Sequence, residues 1–397
     1  MNSFEELINK YCPNGVRFYY AKDIVLLNNY KQLGAEELEM LRVDEGDIPL
    51  LPSSRNYDWF TTREVANEYI CEGEIFTMGR ARNANTKYAN GPFVSSNNII
   101  IESANIDLVL TRFLFHFFTS KISEFYIETS TYPKFDTNLF KNLRVPVPPI
   151  EIQRYIVETL DYFCSLNECL NDEQSKRETQ LNYYRNKLLS FDDTVKRIEL
   201  GKACSIKGRV GWQSLTKAEY RTQGDYFLVT GTDFTRYNKV DFEHCYYVSK
   251  ERYDQDPYIQ LKIGDVLLTK DGTIGKVVYI DHLPKPATLN SHLVVFRDLT
   301  GKIMPRFLMH MLLSEHFIKF AESKSSKGTI IGLPQNVIAS FPMPIPPLDE
   351  QKRIVAILDD LSLLCLDPKL GIPSEIALRE KQFNYYRNKL LTFKEAK

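Results

Sequence analysis

Cations and amides in two acid-poor stretches are the residues of this 397-residue sequence best suited to chemistry. Residues 79–90 (GRARNANTKYAN) hold three cations and no acid, and residues 202–221 hold five cations against Glu219 alone. Arginine and asparagine donate to guanine and adenine edges, whereas lysine neutralises phosphates. The two stretches therefore favour DNA contact, although a solvated surface would explain either stretch taken singly.

Residues from both halves of the chain are candidates for DNA contact. In the first half, the candidates are Arg80, Arg82, Asn83, Asn85 and Lys87. In the second half, they are Lys207, Arg209, Trp212, Gln213, Arg236, Lys270, Thr273, Lys324 and Lys327. We expect each to lie in a loop, where it can contact a base edge, contact a phosphate or remain solvated.

Patterns typical of catalysis and metal binding are missing from the sequence. The segment DGTIGK lacks the length and the Ser/Thr of a phosphate-binding loop, no Rossmann glycine pattern follows a strand, and the six histidines never form HExxH. His116 and His310 stand beside Phe and Leu at equivalent places, which favours buried histidines over catalytic ones. We therefore predict no catalytic residue, no metal and no cofactor in the chain.

Cysteine usage and hydropathy indicate a reduced, cytoplasmic location. Seven scattered cysteines include no CxxC pair, which disfavours a disulfide framework and a zinc site. No apolar run approaches the roughly 18 residues of a membrane span, and the first residues do not resemble a secretory signal. The net charge of −1 excludes neither DNA nor protein partners, because charge can be segregated along a chain.

The elements that must position these residues occur twice along the chain. LNYYRNKLLSF (181–191) and FNYYRNKLLTF (383–393) agree at 9 of 11 positions. Upstream of them, VPVPPIEIQRYIVETLD (145–161) returns as MPIPPLDEQKRIVAILD (343–359), while the segments between these stretches have diverged. The repeat unit is therefore about half of the chain, with nearly copied ends and variable middles.

The copied ends are predicted to be long helices that begin after prolines. From Ile156 to Leu188 a heptad seam with a polar middle predicts one helix of about 40 residues. In the second copy, residues 366–375 contain two prolines and a glycine, which predicts a break. We expect the two helices to pair as an antiparallel coiled coil; the alternative is that each packs on its own domain.

The variable middles are predicted to be domains of mixed sheet and helix. In the second middle, residues 265–280 are typical of a β-hairpin, 292–296 of a strand and 304–322 of an amphipathic helix. The first middle follows the same order, and its RFLFHFF (112–118) returns as RFLMHML (306–312). The predicted fold class is α+β: two α/β domains in a pseudo-two-fold repeat, separated by two long helices that pair as an antiparallel coiled coil.

Taken together, these stretches resemble the specificity subunit of type I restriction–modification systems. Two helices that begin with P-x-P-P-x-x-x-Q-x-x-I carry the resemblance, as do YCPNGVRF (11–18), GDVLLTKDGTIGKV (264–277), GTIIGLPQNVIASFPMPIPPLDEQ (328–351) and the last helix (371–393). The first middle departs from the pattern, since GEIFTMGRARNANTKYA lacks the usual Gly-rich hairpin tip. The resemblance extends over essentially the whole chain.

The resemblance implies a division of labour along the chain. Residues 1–145 and 194–342 would be target-recognition domains, each reading one half of a bipartite DNA site. Residues 146–193 and 343–397 would form the spacer helices, which set the gap between the half-sites. Two methyltransferase subunits, expected to bring S-adenosylmethionine, would dock on this rod, and restriction subunits would join them. The chain itself would be non-catalytic.

Surface residues of the repeated helix ends are candidates for intersubunit or interhelix contacts. They are Tyr183, Arg185, Asn186, Lys187, Tyr385, Arg387, Asn388 and Lys389. Alternatively the tyrosines complete the coiled-coil core, as we expect of Tyr184 and Tyr386 on the seam. Two other functions remain open at this point: a stand-alone tandem DNA-binding protein, and a two-headed scaffold that binds proteins or glycans through the variable domains.

Overall fold

Two compact units make up the chain in a computed structural model, which describes residues 4–55, 58–80, 85–129, 132–209, 215–271, 275–324 and 332–396. Unit 1 comprises Met1–Glu168 and Leu378–Lys397, and unit 2 comprises Cys169–Ala377. Unit 1 is therefore discontinuous in sequence, because the end of the chain returns to its beginning.

Unit 1 is built mainly of strands. They are β1 (Arg17–Tyr20), β2 (Val25–Asn28), β3 (Gln32–Leu33), β4 (Ile48–Leu51), β5 (Phe60–Thr61), β6 (Cys71–Gly79), β7 (Thr86–Ser96), β8 (Asn98–Ser103), β9 (Tyr126–Ile127), β10 (Lys134–Phe135) and β11 (Arg144–Val147). Its helices are α1 (Phe4–Tyr11), α2 (Ala21–Ile24), α3 (Ala35–Met40), α4 (Arg63–Ala66), α5 (Thr111–Ser120), α6 (Thr137–Asn142) and the first half of α7 (Ile150–Leu188).

Unit 2 repeats this mixture with fewer strands. They are β12 (Arg197–Glu199), β13 (Cys204–Gly208), β14 (Tyr226–Val229), β15 (Tyr246–Val248), β16 (Val266–Thr269), β17 (Val277–Tyr279), β18 (Ala287–Leu289), β19 (Leu293–Asp298) and β20 (Pro342–Pro344). Its helices are the second half of α7, α8 (Leu200–Ala203), α9 (Lys250–Asp254), α10 (Pro305–Leu312), α11 (Glu315–Lys324), α12 (Gln335–Ala339) and α13 (Leu348–Leu366). The final helix, α14 (Ile372–Leu390), begins in unit 2 and ends in unit 1.

The main sheets of the two units share their strand order. The order is β2-β8-β6-β7 in unit 1 and β13-β19-β16-β17 in unit 2. In unit 1 the sheet continues through β4 and β5, whereas unit 2 has a separate three-stranded sheet of order β15-β14-β18. The diverged middles therefore keep a common four-stranded framework, as the repeat predicted.

A two-stranded antiparallel pair joins each domain to the start of its long helix. In unit 1, β1 pairs with β11 so that Phe18 lies opposite Pro146. In unit 2, β12 pairs with β20 so that Arg197 lies opposite Pro344. Pro146 and Pro344 occupy equivalent positions in the copied sequence, so this connection between domain and helix is part of the repeat.

The predicted hairpin at 265–280 is confirmed, since β16 and β17 pair antiparallel. The single helix predicted at 304–322 is wrong: α10 ends at Leu312, and α11 begins at Glu315. Ser314 causes the break, because its hydroxyl donates to Met311 O and accepts the N–H of Phe317. A serine at that place both ends one helix and caps the next.

The predicted long first helix and the break in the second copy are both confirmed. Helix α7 runs for 39 residues without interruption. In the second copy, α13 ends at Leu366 and α14 begins at Ile372. Between them, a Cβ on Gly371 would lie 2.5 Å from the carbonyl oxygen of Leu363, so a larger residue does not fit this turn.

The helices pair antiparallel within each unit. In unit 1, Phe163 of α7 stacks on Tyr386 of α14 at a centroid distance of 5.4 Å. Closer to the start of α7, the ring of Phe4 contacts both Tyr155 and Phe393, so the end of α14 lies beside the start of α7. The expectation that Tyr386 lies on the seam is confirmed.

The helix pair of unit 2 packs on its domain core as well. Leu181 and the partly buried Tyr184 of α7 belong to one apolar cluster with Ile354 and Leu358 of α13 and Phe307 of α10. In unit 1, Ile156 and Leu160 belong in the same way to one cluster with Phe113 of α5. The two alternatives for the helices therefore coexist, because the helices pair and each pair also packs on a domain.

Candidate nucleic-acid interface

One buried glutamine in each unit ties the long helix to the domain below it. In unit 1, Gln153 is fully buried; its carbonyl oxygen accepts the N–H of Leu110 at 2.9 Å, and its amide donates to the carbonyls of Leu108 and Pro148. In unit 2, Gln351 is equally buried and accepts the N–H of Met304 at 2.9 Å. Its amide donates to the carbonyls of Lys302 and Pro346. The two copies therefore make the same three hydrogen bonds.

A buried histidine in each unit makes a second repeated bond. The Nε2 atom of His116 lies 2.8 Å from Asp161, and that of His310 lies 2.9 Å from Asp359. Burial lowers the pKa of both imidazoles, so they stay neutral and donate from Nε2. Their predicted role as buried residues is confirmed.

An arginine completes each of these clusters. Arg112 binds Asp161 at 2.7 Å, and Arg306 binds Asp359 at 2.7 Å. Each aspartate therefore lies on a long helix and binds two side chains of the helix that follows the sheet, α5 or α10. Together with the glutamine, this cluster fixes α5 or α10, and the segment that precedes it, on the long helix of each unit.

The surfaces of the repeated helix ends separate into exposed and internal residues. Tyr183 and Tyr385 are exposed, at 58% and 62%, and Lys187, Asn388 and Lys389 are also exposed. Lys187 lies over the ring of Tyr183, and Lys389 binds Glu5 of α1 at 3.3 Å. These residues stay candidates for partner contact.

The arginines of the repeated ends point inward. Arg185 is 6% exposed, and burial lowers its pKa to about 10. Arg387 is partly buried with a pKa lowered for the same reason. Asn186 accepts the N–H of Glu315, the first residue of α11. For these three residues the structure gives contacts within a unit.

Two of the residues predicted to contact DNA in unit 1, Lys87 and Asn85, are buried at the edge of the sheet. Lys87 lies in strand β7 rather than in a loop, and its ammonium donates to the carbonyls of Pro52 and Ser54 at 2.7 and 2.6 Å. Burial lowers its pKa to about 8. Asn85 is 3% exposed and donates to the carbonyl of Ser53 at 2.7 Å. These two residues support the loop at 52–54 and are removed from the candidates.

Arg80 remains an exposed candidate in unit 1. It directly follows β6, and its guanidinium donates to the carbonyl of Asn98 at 3.3 Å. That carbonyl lies at the start of β8, next to the end of β6 in the sheet. Arg80 therefore stands at the edge of the sheet where β6 ends and β8 begins.

In unit 2, burial removes a further candidate. Arg209 is 3% exposed and donates to the carbonyl of Leu289 at 3.1 Å and to Thr288 at 3.2 Å. Lys207 is exposed but lies in strand β13, where its ammonium lies 5.6 Å from the ring centre of Tyr258. The predicted loop position of Lys207 is therefore wrong, and its DNA contact stays a prediction.

The other described candidates of unit 2 are exposed to different extents. Lys270 directly follows β16 and is partly exposed. Arg236 is 77% exposed and binds Glu178 of α7 at 3.2 Å. Lys324 is the last residue of α11, not a loop residue. The predictions for Arg82, Asn83, Trp212, Gln213, Thr273 and Lys327 lie outside the described residues.

The ends of three neighbouring strands meet at one edge of the unit 2 sheet. Gly208 of β13 lies opposite Val294 of β19, and Thr269 of β16 lies opposite Leu293. The residues just beyond these ends therefore share one edge, and they include Lys270 and the 62% exposed His292. Sequence reasoning missed His292, because the antiparallel pairing of β16 with β19 brings it beside Lys270.

The residues that hold each domain on its helix were visible in the sequence without their role. Gln153, Asp161 and His116 recur in the second copy, yet recurrence alone does not say which atoms they bind.

Among the described residues, no group of three or more His, Cys, Asp or Glu side chains is placed to hold a metal ion. Nor does any helix within the described ranges have the length and apolar character needed to cross a membrane.

Two segments of the chain match one protein family. The model of the "Type I restriction modification DNA specificity domain" matches residues 18–177 and 193–378, which correspond to the two copies of the repeat. A putative type I restriction enzyme specificity subunit of Haemophilus influenzae is 27% identical over 365 residues, covering 89% of this chain and 90% of that protein. The specificity subunit of the type I restriction enzyme EcoR124I/EcoR124II of Escherichia coli is 26% identical over 361 residues, covering 88% of each.

Solved structures share the fold at low sequence identity. The S subunit of a type I restriction–modification system from M. genitalium superposes with a TM-score of 0.54 at 14% identity, over 95% of each chain. A chain from a study of the assembly and conformational transition of a type I system gives a TM-score of 0.59 at 16% identity, over 96% of this chain and 98% of that one.

Proposed function

The chain belongs to the type I restriction modification DNA specificity family, and on that premise we propose that it selects a bipartite DNA site for a partner methyltransferase. It is a non-catalytic specificity subunit of a type I restriction–modification complex, and it guides the enzymes of that complex. One observation carries the proposal: the two units repeat the bonds that hold the domain on the long helix and differ at the sheet edge.

Each unit reads one half of the site through the loops at that edge. The shared four-stranded framework supports this assignment, because it gives both halves the same platform. The different side chains at the edge support unlike half-sites, with Arg80 in unit 1 and Lys207 and Lys270 in unit 2. Cations at such positions supply contacts to phosphates and to guanine.

Two methyltransferase subunits dock on the repeated helix ends. The exposed pairs Tyr183 with Lys187 and Tyr385 with Lys389 support this stoichiometry, because they offer one partner the same surface twice. The methyltransferase brings S-adenosylmethionine, restriction subunits join the complex, and the assembly works in the cytoplasm.

Modification-sensitive sequencing tests the proposal. DNA from cells that express the partner methyltransferase is compared with and without this chain. We expect methylation at one split motif only when the chain is present, and exchange of residues 194–342 for those of a relative should change one half of that motif. If the subunits co-purify but no motif in the DNA is methylated, the assignment of this chain as the specificity subunit is contradicted.

The docking surface has its own test. Tyr183→Ala should remove one of the two methyltransferase subunits, and Tyr183→Ala with Tyr385→Ala should remove both. Light scattering of the purified complex gives the mass directly. Tyr246→Ala serves as the control, because Tyr246 is 44% exposed but lies in the variable domain. A complex of unchanged mass in the double variant would exclude this surface.

The paired helices set the distance between the half-sites. One helical turn advances about 5.4 Å and one base pair about 3.4 Å. Deleting one turn from α7 and one from α14 should therefore shorten the preferred spacer by one or two base pairs. Sequencing of methylated sites measures the spacer, and an unchanged preference would refute the ruler.

A further inference from the structure

A lysine, an aspartate and a histidine form one cluster at the sheet edge of unit 2. The ammonium of Lys270 lies 3.2 Å from Asp271 Oδ2, and His292 Nδ1 lies 3.7 Å from the same oxygen. The side chains of Lys270, Asp271 and His292 are 24%, 30% and 62% exposed. The ammonium of Lys270, a donor, and the carboxylate of Asp271, an acceptor, therefore lie side by side, and both side chains are partly exposed to solvent.

The backbone around this cluster is held in place on both sides. The N–H of Lys270 donates to the carbonyl of His292 at 2.9 Å, and the carbonyl of Lys270 accepts the N–H of Leu333 at 2.8 Å. His292 is held in turn, because its N–H donates to Asn290 Oδ1 at 3.1 Å. The side chains of the cluster therefore start from a fixed frame, which a recognition contact requires.

The aspartate is held from the other side as well. Asp271 forms an isolated antiparallel bridge with Gly332, and its Oδ1 lies 3.0 Å from where a Cβ on Gly332 would be. The carboxylate is thus placed between Gly332 on one side and the two basic side chains on the other. Its remaining exposed surface lies at the edge that unit 2 presents to DNA under the proposed function.

A carboxylate at a DNA-binding edge restricts what that edge can bind. Phosphate is disfavoured beside it, because like charges repel. The exocyclic amino group of cytosine is favoured, because aspartate accepts from N4 in the major groove, and lysine donates to O6 and N7 of guanine. An adjacent donor and acceptor match the adjacent O6 and N4 groups of one G·C pair.

We propose that Lys270 and Asp271 read one G·C base pair in the half-site of unit 2, Lys270 donating to the guanine and Asp271 accepting from the cytosine. The proposal rests on the proposed function and adds to it the identity of one base pair. It also assigns Asp271 to DNA recognition, whereas a cation-based argument selects only Lys270.

Unit 2 contains a matched control at the other end of the same sheet. Asp281 follows β17, where Lys239 lies 2.8 Å from its Oδ2 and His282 lies 2.8 Å from its Oδ1. Tyr279 of β17 lies opposite Val266, the first residue of β16, whereas Lys270 follows the last. The same three residue types therefore occur far from the edge at which Lys270 stands.

The experiment compares methylated motifs made by the full complex with the wild-type chain, Asp271→Asn, Lys270→Gln and Asp281→Asn. We expect a G·C pair at one position of the wild-type half-site. Asp271→Asn and Lys270→Gln should both relax that position, with discrimination against other base pairs falling about 10- to 100-fold. Asp281→Asn should keep the wild-type motif.

Each other outcome overturns the proposal. An unchanged motif in Asp271→Asn, with methylation lowered evenly over all sites, would assign the cluster to the DNA backbone or to folding. Should Asp271→Asn fail to co-purify with the methyltransferase, Lys270→Gln decides alone, and an unrelaxed motif refutes the pair. A wild-type complex that methylates no split motif would refute the proposed function itself, which is a distinguishable result.

Discussion

Unit 1 and unit 2 are alike where the domain joins the long helix and unlike where the strands of the main sheet end. Gln153 and Gln351 make the same three hydrogen bonds in the two units. At the sheet edge, by contrast, unit 1 buries Lys87 against backbone carbonyls, whereas unit 2 exposes part of Lys270 beside Asp271. The difference indicates that both units keep the same internal packing where the domain joins the long helix, while the residues at the sheet edge differ.

Replacing the buried glutamine of either unit should have the largest effect on the free energy of unfolding. Gln351→Leu leaves the N–H of Met304 and two carbonyls unpaired in a buried site, which should cost about 4 kcal/mol of unfolding free energy. Gln153→Leu should cost the same in unit 1. Denaturant unfolding, monitored by hydrogen exchange in each unit, measures both costs, with the exposed Gln223→Leu as control. Costs that differ by more than about 1.5 kcal/mol would show that the two joins are not equivalent.

Acidification should weaken both units through their histidines. Burial lowers the folded-state pKa of His116 and His310 below 6.5, so below that pH the unfolded chain binds protons that the folded chain does not. Stability is therefore fully present above about pH 6.5 and falls as the pH drops, by up to about 1.4 kcal/mol per pH unit for each histidine.

Glutamine variants of these histidines test the acid effect. His116→Gln should flatten the pH dependence in unit 1 and His310→Gln in unit 2, as measured by unfolding between pH 7 and about pH 5. His244 is exposed, so His244→Gln should leave the slope of stability against pH unchanged in both units over this range. A slope that survives in His116→Gln and His310→Gln would assign it to other groups.

Removal of the Lys87 charge should lower stability without changing the salt dependence of DNA binding. Lys87→Met removes the ammonium that donates to the carbonyls of Pro52 and Ser54, which should cost about 1.5 kcal/mol of stability. The salt dependence of DNA affinity should not change, because a buried ammonium neutralises no phosphate. Binding measured over a salt series separates the two roles, and a shallower slope in Lys87→Met would return this residue to the DNA-contact candidates.

The smallest effect is expected at the ion pair of Arg236 with Glu178. Arg236 is 77% exposed, and exposed pairs contribute about 0.5 kcal/mol or less. Arg236→Gln should therefore change the stability of unit 2 within error. A measurable loss of DNA affinity at equal stability would place Arg236 at the DNA, as its charge predicted. Denaturant unfolding and DNA titration of the same preparation supply both numbers.

The sequence was sufficient for the elements that repeat. Prolines, the heptad seam and the copied helix ends predicted α7 and the break between α13 and α14, because periodicity and helix breakers are local signals. The hairpin of β16 and β17 was likewise visible. The serine cap between α10 and α11 could not be predicted, because the amphipathic pattern of residues 304–322 continues through the break.

The site was predictable only where exposure follows from residue type. Lys87 and Arg209 appeared as free cations, yet their acceptors are backbone carbonyls 33–35 and 80 residues away in sequence. No local pattern contains such acceptors, since they depend on how the strands are arranged. For the same reason His292 was missed, because only the pairing of β16 with β19 places it at the edge.

The discontinuity of unit 1 has a consequence for how the protein is made. Residues 378–396 complete unit 1, and Val16 exchanges backbone hydrogen bonds with Lys394 and Ala396. A ribosome adding about 5–20 residues per second needs on the order of 10–50 s to synthesise everything after residue 168. Unit 2 can therefore finish folding first, while the segment made earliest waits for the last-made helix. During that interval the apolar face of unit 1 that α14 later covers is open to chaperones, to aggregation and to the α14 of another chain.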